Sequence, residues 1–284
     1  MEDENLASNQ LGSRYLDFRA IQQSFESNGI IDLAGVSFFN PCLLAPLAIL
    51  MAKHPEARVI APVNENARTY YKFMTEMMKN EYEFDEFERE TIAGQSYIRM
   101  IKVPRDKVRF NRFSEMLSKS ITTDKYGGAN AIPYLVGEIT DNVLEHSRFN
   151  NSWVMIQIYS RRGRMELSVI DDGISIPGSL EAAGFTFTHG DADAINQAVQ
   201  GRSAKVMEGM RGTGLRTVTN LLVEGMKGEL LIVSRGGILS RKHSLLGAEG
   251  ERLYQTNKHP FPGTLVGMVI PEQESGVDIY DYIE

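Results

Sequence analysis

Two runs of alternating residues, Trp153 to Tyr159 and Arg164 to Ile170, flank the short segment Arg161-Arg-Gly163. Alternation at that spacing reads as two half-buried antiparallel strands joined as a hairpin, with the glycine in the turn. A lone hairpin is marginal in water, so it needs further strands and a covering layer. Both are at hand. Gly228 to Ser234 and Thr264 to Ile270 are two more strand candidates. Residues 131–147 place Leu135, Ile139, Asn142, Val143 and His146 on one helical face. A long helix followed by antiparallel strands predicts an α+β sandwich with helices over one face of the sheet.

The chain has 284 residues, enough for about two domains. The first half has a different rhythm from the second. Gly29 to Phe39 reads as a short buried strand closed by Asn40-Pro41, and Leu43 to Lys53 as a helix apolar nearly all round. Ala57 to Val63 reads as a second strand, and Asn64 as the N-cap of a helix from Glu65 to Met78. Strand, helix, strand, helix predicts a small α/β unit with parallel pairing. The first ten residues are expected to be frayed. The charged segment 81–104 is expected to carry the chain into a second domain, giving units 11–105 and 106–284.

Charge and composition narrow the function classes. The formal charge is −7, which argues against a dedicated nucleic-acid binder. The basic block from Arg99 to Arg112 follows an acidic stretch from Glu81 to Glu90, a pattern that fits solvated or mutually paired faces. One cysteine, Cys42, leaves no disulfide framework and no cysteine metal cluster, and it reads as a small buried hydrophobe. The longest apolar run, Cys42 to Ala52, falls short of the roughly 20 residues a bilayer span needs. The acidic Met1 to Asn5 does not read as a signal peptide, so a cytoplasmic location without a membrane partner is expected.

Four segments carry chemistry. In Gly137 to His146, Glu138 and Asn142 are four apart and share a helix face. A carboxylate there can polarise an attacking group, and a carboxamide oxygen suits a hard cation such as Mg²⁺. In Val169 to Gly178 an apolar strand ends in Asp171-Asp172-Gly173. Asp171 can accept from an exocyclic amine; alone, the same residues describe an Asp-Gly turn equally well. In Gly209 to Leu222, Gly212-Thr213-Gly214-Leu215 feeds a helix whose free N–H groups favour phosphate. It matches neither a Walker A loop nor a dinucleotide fingerprint. Finally, Gly263 and Thr264 open the last apolar strand.

In this order the segments resemble the GHKL superfamily, the ATP-binding fold of gyrase, mismatch-repair and histidine-kinase ATPases, over roughly residues 110–272. The resemblance implies a Bergerat-type α/β sandwich holding ATP and Mg²⁺. Glu138 would then be the general base, Asn142 the Mg²⁺ ligand and Asp171 the adenine reader. Gly173 and Ser175 follow Asp171; the family has glycine where Ser175 stands. Gly212, Thr213, Gly214 and Leu215 would hold phosphates, with Arg211, Lys205 and Met207 nearby and Thr264 beside the adenine. The segment 178–211 would be the lid. Residues Ile31 to Leu44 also resemble the strand-turn-helix of STAS domains, whose turn serine is phosphorylated by a GHKL kinase. Here the turn reads Asn40-Pro41-Cys42, without a hydroxyl.

The resemblance implies a regulatory protein that hydrolyses ATP slowly as its lid closes on a protein partner, with a STAS-like partner and a homodimer both open. Two alternatives share the pocket: a serine/threonine kinase of the anti-sigma-factor type acting on a STAS-like partner, and an ATP sensor that does not hydrolyse.

Overall fold

The expected hairpin is the centre of the molecule. In a computed structural model that describes residues 6, 10–79, 97–121, 124–203, 214–243, 250–256 and 260–283, strands β4 (Ser152–Tyr159) and β5 (Arg164–Asp171) pair antiparallel from Ser152↔Asp171 to Tyr159↔Arg164. Gly163 closes their connection at φ 57°, a left-handed conformation that suits glycine. With β3 (Tyr97–Lys102), β6 (Glu229–Arg235), β7 (Gly237–Lys242), β8 (Arg252–Gln255) and β9 (Phe261–Pro271) they form one antiparallel sheet of order β3-β4-β5-β9-β6-β7-β8. Helices α4 (Lys107–Ile121), α5 (Ala131–Asn142) and α8 (Gly214–Asn220) pack together in the core of one face. This is the expected α+β sandwich.

One expectation about the sheet is corrected. The hairpin strands are not half-buried. Residues 152–156 and 165–171 are buried without interruption. Along β5 the side chains still alternate: Met165, Leu167 and Val169 join the helical core, while Ile170 joins a second core on the opposite face. Trp153 and Met155 of β4 point to that second core as well. A strand buried on both faces loses its polar-apolar alternation because each face meets an apolar layer.

The second layer is the N-terminal half. It runs α1 (Gln10–Asn28), β1 (Ile30–Asp32), α2 (Pro41–Lys53), β2 (Arg58–Ile60) and α3 (Glu65–Lys79). β1 and β2 pair in parallel, with α2 as their crossover. The strands are shorter than expected because Asp32 Oδ1 accepts from the Ala34 N–H at 2.9 Å and turns the chain. Asn40 caps α2 by accepting from the Leu43 N–H at 3.0 Å, and Asn64 caps α3 by accepting from Ala67 at 3.0 Å. Residues 41–49 of α2 are all buried, which explains a helix apolar all round: it lies between α1 and strands β4, β5 and β9.

Polar contacts fix this layer on the sheet. Ser168 Oγ donates to the Pro41 carbonyl at 3.0 Å, and a Cβ on Gly267 would collide with Cys42 Sγ. Burial pushes the Cys42 thiol up to about 12, so it stays protonated and packs as a small hydrophobe. Glu166, 1 % exposed, pairs with Arg14 of α1 and with Arg164 at 3.1 Å, and accepts from Gln10 Nε2 at 3.1 Å.

Two observations bear on the expected units. Residues 97–102, within the charged segment 81–104, form β3, an edge strand of the main sheet. The first ten residues are not uniformly loose: Leu6 is buried in the second core and α1 begins at Gln10, while residues 1–5 and 7–9 lie outside the described residues.

Candidate functional site

Helix α5 presents Glu138 and Asn142 on one face, then opens into a π-helical turn, Val143–Ser147, that ends at Arg148 with φ 52°. Such turns often mark functional positions. Beside α5 lies a cavity of about 440 Å³. Glu138, Asn142, Asp171, Ser175, Gly214, Leu215 and Thr264 all line it, with His146 one turn beyond Asn142. Gly173 stands behind the lining. Arg211, Gly212 and Thr213, with Lys205 and Met207, lie outside the described residues.

Asp171 closes β5 and is 2 % exposed. Its Oδ1 accepts from the Gly173 N–H at 2.8 Å, and the Ser147 hydroxyl supplies a second hydrogen bond. Burial outweighs both and raises the carboxyl to about 7, with the negative charge of Asp172 adding to the rise. Asp172 itself is structural. Its Oδ1 accepts from Asn150 and Asn151 N–H at 2.7 and 2.8 Å. Gly173 is needed because any Cβ there would meet the Ser147 carbonyl, which accepts from Ile174 at 2.7 Å.

Ser175 stands where the resemblance implies a glycine, and its backbone adopts a conformation that suits one. It sits at φ 71°, where a Cβ costs about 1 kcal/mol and glycine costs nothing. Its Oγ accepts from the Gly178 N–H at 3.1 Å, which offsets part of that strain. Serine thus keeps a glycine's path.

Register places the remaining polar group. Asp171 is paired with Thr264, and Thr264 with Ser234, so three polar residues form one row across the ends of neighbouring apolar strands. Ser234 Oγ lies 2.9 Å from Thr264 Oγ1 and accepts from the Ile176 N–H at 2.9 Å, tying the start of α6 (Ser175–Ala182) to the strands.

At the other end of the cavity, burial raises the Glu138 carboxyl, Asp141 adds to the rise, and a hydrogen bond from Tyr134 opposes it. A Cβ on Gly214 would meet Glu138 Oε2, so any larger residue there would make this carboxylate swing aside from its present position. Tyr134, Ser147 and Ser234 escaped sequence reasoning. Tyr134 is four residues before Glu138 and so was findable by helical spacing; the other two depend on long-range pairing.

Part of the expected lid is packed. Within 178–211, α7 (Asp191–Val199) buries Ala194 and Ile195 against β7. Arg235 forks to both carboxylate oxygens of Glu181 at 2.7 Å and also donates to Asp191, fastening α6 and α7 to the β6–β7 turn.

Among the described residues no three His, Cys, Asp or Glu side chains group as a metal site. Mg²⁺ that keeps most of its waters and binds through phosphates needs only one or two protein oxygens, so Asn142, on the cavity wall beside Glu138, is a donor that fits. No described helix is long and apolar enough to cross a membrane.

Together these features define a nucleotide-sized cleft between a helix and the strand ends of an antiparallel sandwich. Residues 127–242 match the family described as histidine kinase-, DNA gyrase B-, and HSP90-like ATPase. The matched segment runs from just before α5 to the end of β7 and holds Glu138, Asn142, Asp171 and Gly214; Thr264 lies beyond it. The match supports a GHKL-type domain that binds ATP. Comparison with curated proteins gives no match.

Proposed function

We propose that the chain is a Mg-ATP-binding regulatory protein that hydrolyses ATP slowly and couples occupancy of the cavity to a protein partner. The observation that carries this reading is the shared cavity: an acid and an amide from α5 face a strand-end aspartate, with Gly214 at the acid's end. In this reading Asp171 accepts from the adenine amine and Thr264 with Ser234 holds that end of the pocket. Asn142 is a Mg²⁺ ligand; the ion, when bound, neutralises phosphate charge. Glu138 orients the attacking water and takes its proton, a role its raised pKa suits.

Phosphate transfer to a STAS-like partner would use the same Glu138. The chain's own STAS-like turn is not placed to receive it. Asn40 and Pro41 are buried against the sheet face opposite the cavity, where Ser168 holds the Pro41 carbonyl. In this reading the acceptor belongs to another molecule.

Incubation with γ-labelled ATP and Mg²⁺, with and without cell extract, separates the outcomes. Free phosphate in the purified protein supports hydrolysis, and label on a second protein supports the kinase. Binding without turnover in either makes the site a sensor. Glu138→Gln should keep ATP binding and lose turnover; unchanged turnover removes Glu138 from the base's role.

A further inference from the structure

The lining of the cavity includes four carboxylates, from Glu138, Asp141, Glu145 and Asp171. An adenosine polyphosphate adds several negative charges to a partly desolvated cleft, where like charges repel strongly. Beyond the charge that Mg²⁺ would neutralise, a side-chain cation facing the phosphates lowers that cost. Among the described lining residues, Arg202 is the only lysine or arginine.

Its placement is defined. The Arg202 N–H donates to the Gln197 carbonyl at 2.9 Å just after α7, and a Cβ on neighbouring Gly201 would lie 3.6 Å from Arg216 Cδ on α8. Residue 202 is therefore fixed beside the helix whose first residue, Gly214, approaches Glu138. The guanidinium stands 5.0 Å from the centroid of the Phe185 ring, and no carboxylate pairs with it among the described residues. Phe185 belongs to a small apolar cluster with Leu180, Ala198 and Leu215, which also border the cavity. A stacked arginine at an exposed site is weakly held. A phosphate oxygen offers charge-assisted hydrogen bonds that an aromatic face does not.

We propose that Arg202 is a phosphate-recognition residue of this cavity, favouring an adenosine polyphosphate over adenosine. Phe185 holds the guanidinium at the mouth until the phosphates take it. The inference rests on the nucleotide reading above and adds to it a residue that distinguishes the charged ligand from the uncharged one.

Titration calorimetry of the full chain with Mg-ATP and, separately, with adenosine tests it. Arg202→Ala should weaken ATP about tenfold and leave adenosine unchanged. Arg202→Lys, which keeps the charge without the fork, should weaken ATP about threefold. Unchanged ATP affinity in Arg202→Ala overturns the proposal, and so does an equal loss for both ligands, which would mean a change in pocket shape. A wild-type protein that binds neither ligand removes the nucleotide reading itself, a result distinct from wild-type binding that Arg202→Ala leaves intact.

Discussion

Glu166 and Asp171 are two buried carboxylates on the same strand, five residues apart and on opposite faces of the sheet. On the back face Glu166 meets two arginines and a glutamine, so its charge is answered from within the fold. On the front face Asp171 has a backbone N–H and a serine hydroxyl but no cation, and its carboxyl rises to about 7. Burial is the same; partnership differs. A fully partnered buried acid fastens layers together. An under-partnered one facing a cavity leaves acceptor capacity for a ligand and costs stability until the ligand arrives.

The contrast can be broken at either end. The largest effect is expected from Glu166→Ala, which strands Arg14 and Arg164 at the interface. It should cost about 3–5 kcal/mol in chemical denaturation, the range for breaking a buried pair. A loss within experimental error would mean the back-face cluster is not structural.

Asp171→Asn should act with two signs. The folded carboxyl titrates near 7 and the unfolded one near 4, so the folded chain holds the extra proton between those values. This group's contribution to stability is therefore lost as pH rises from about 4 through 7. Removing the charge should stabilise the unliganded protein at pH 8 by on the order of 2–4 kcal/mol while weakening ATP by roughly tenfold or more. A variant weaker in both respects would refute the assignment of Asp171 as an under-partnered acid.

A smaller effect belongs to the wild type. An adenine amine favours the ionised acceptor, so ATP affinity should fall as pH drops from 8 to 6, by up to about tenfold, and the slope should vanish in Asp171→Asn. Equal slopes in both proteins would place the titrating group elsewhere. The smallest effect is Ser175→Gly. Relief of the left-handed strain and loss of the Gly178 hydrogen bond nearly cancel, so denaturation should shift by less than about 1 kcal/mol and ATP affinity should hold. A large loss of binding would give Ser175 Oγ a role in the pocket that its backbone does not explain.

The front face was far more legible in the sequence than the back. Glu138 and Asn142 announce themselves by four-residue spacing, and Asp171 and Gly173 by position at the end of an apolar run; each is a local pattern that one element displays. The back layer has no such signature. Nothing near Glu166 in the chain indicates that Arg14 reaches it, since the two are 152 residues apart. The two-sided burial of β4 and β5 was misread for the same reason: Ser152, Ser168 and Glu166 mimic a solvent-facing register until the layer that satisfies or covers them is known. Strand β3 was hidden inside a charge-rich stretch that reads as a connector, and β7 and β8 lack clean alternation. The Asn64 cap, by contrast, was readable, because a cap is satisfied within its own turn; Asn40, read as a turn residue, caps α2 in the same way.

The seat of α2 on the sheet has a mechanical consequence. Ser168, which grips the Pro41 carbonyl from behind, is three residues from Asp171 on the same strand, and Gly267, pressed against Cys42, is three residues from Thr264. The N-terminal layer thus holds the shafts of the two strands whose tips, Asp171 and Thr264, line the cleft. Any force that shifts that layer reaches those tips through barely 10 Å of extended backbone, with no intervening joint to absorb it.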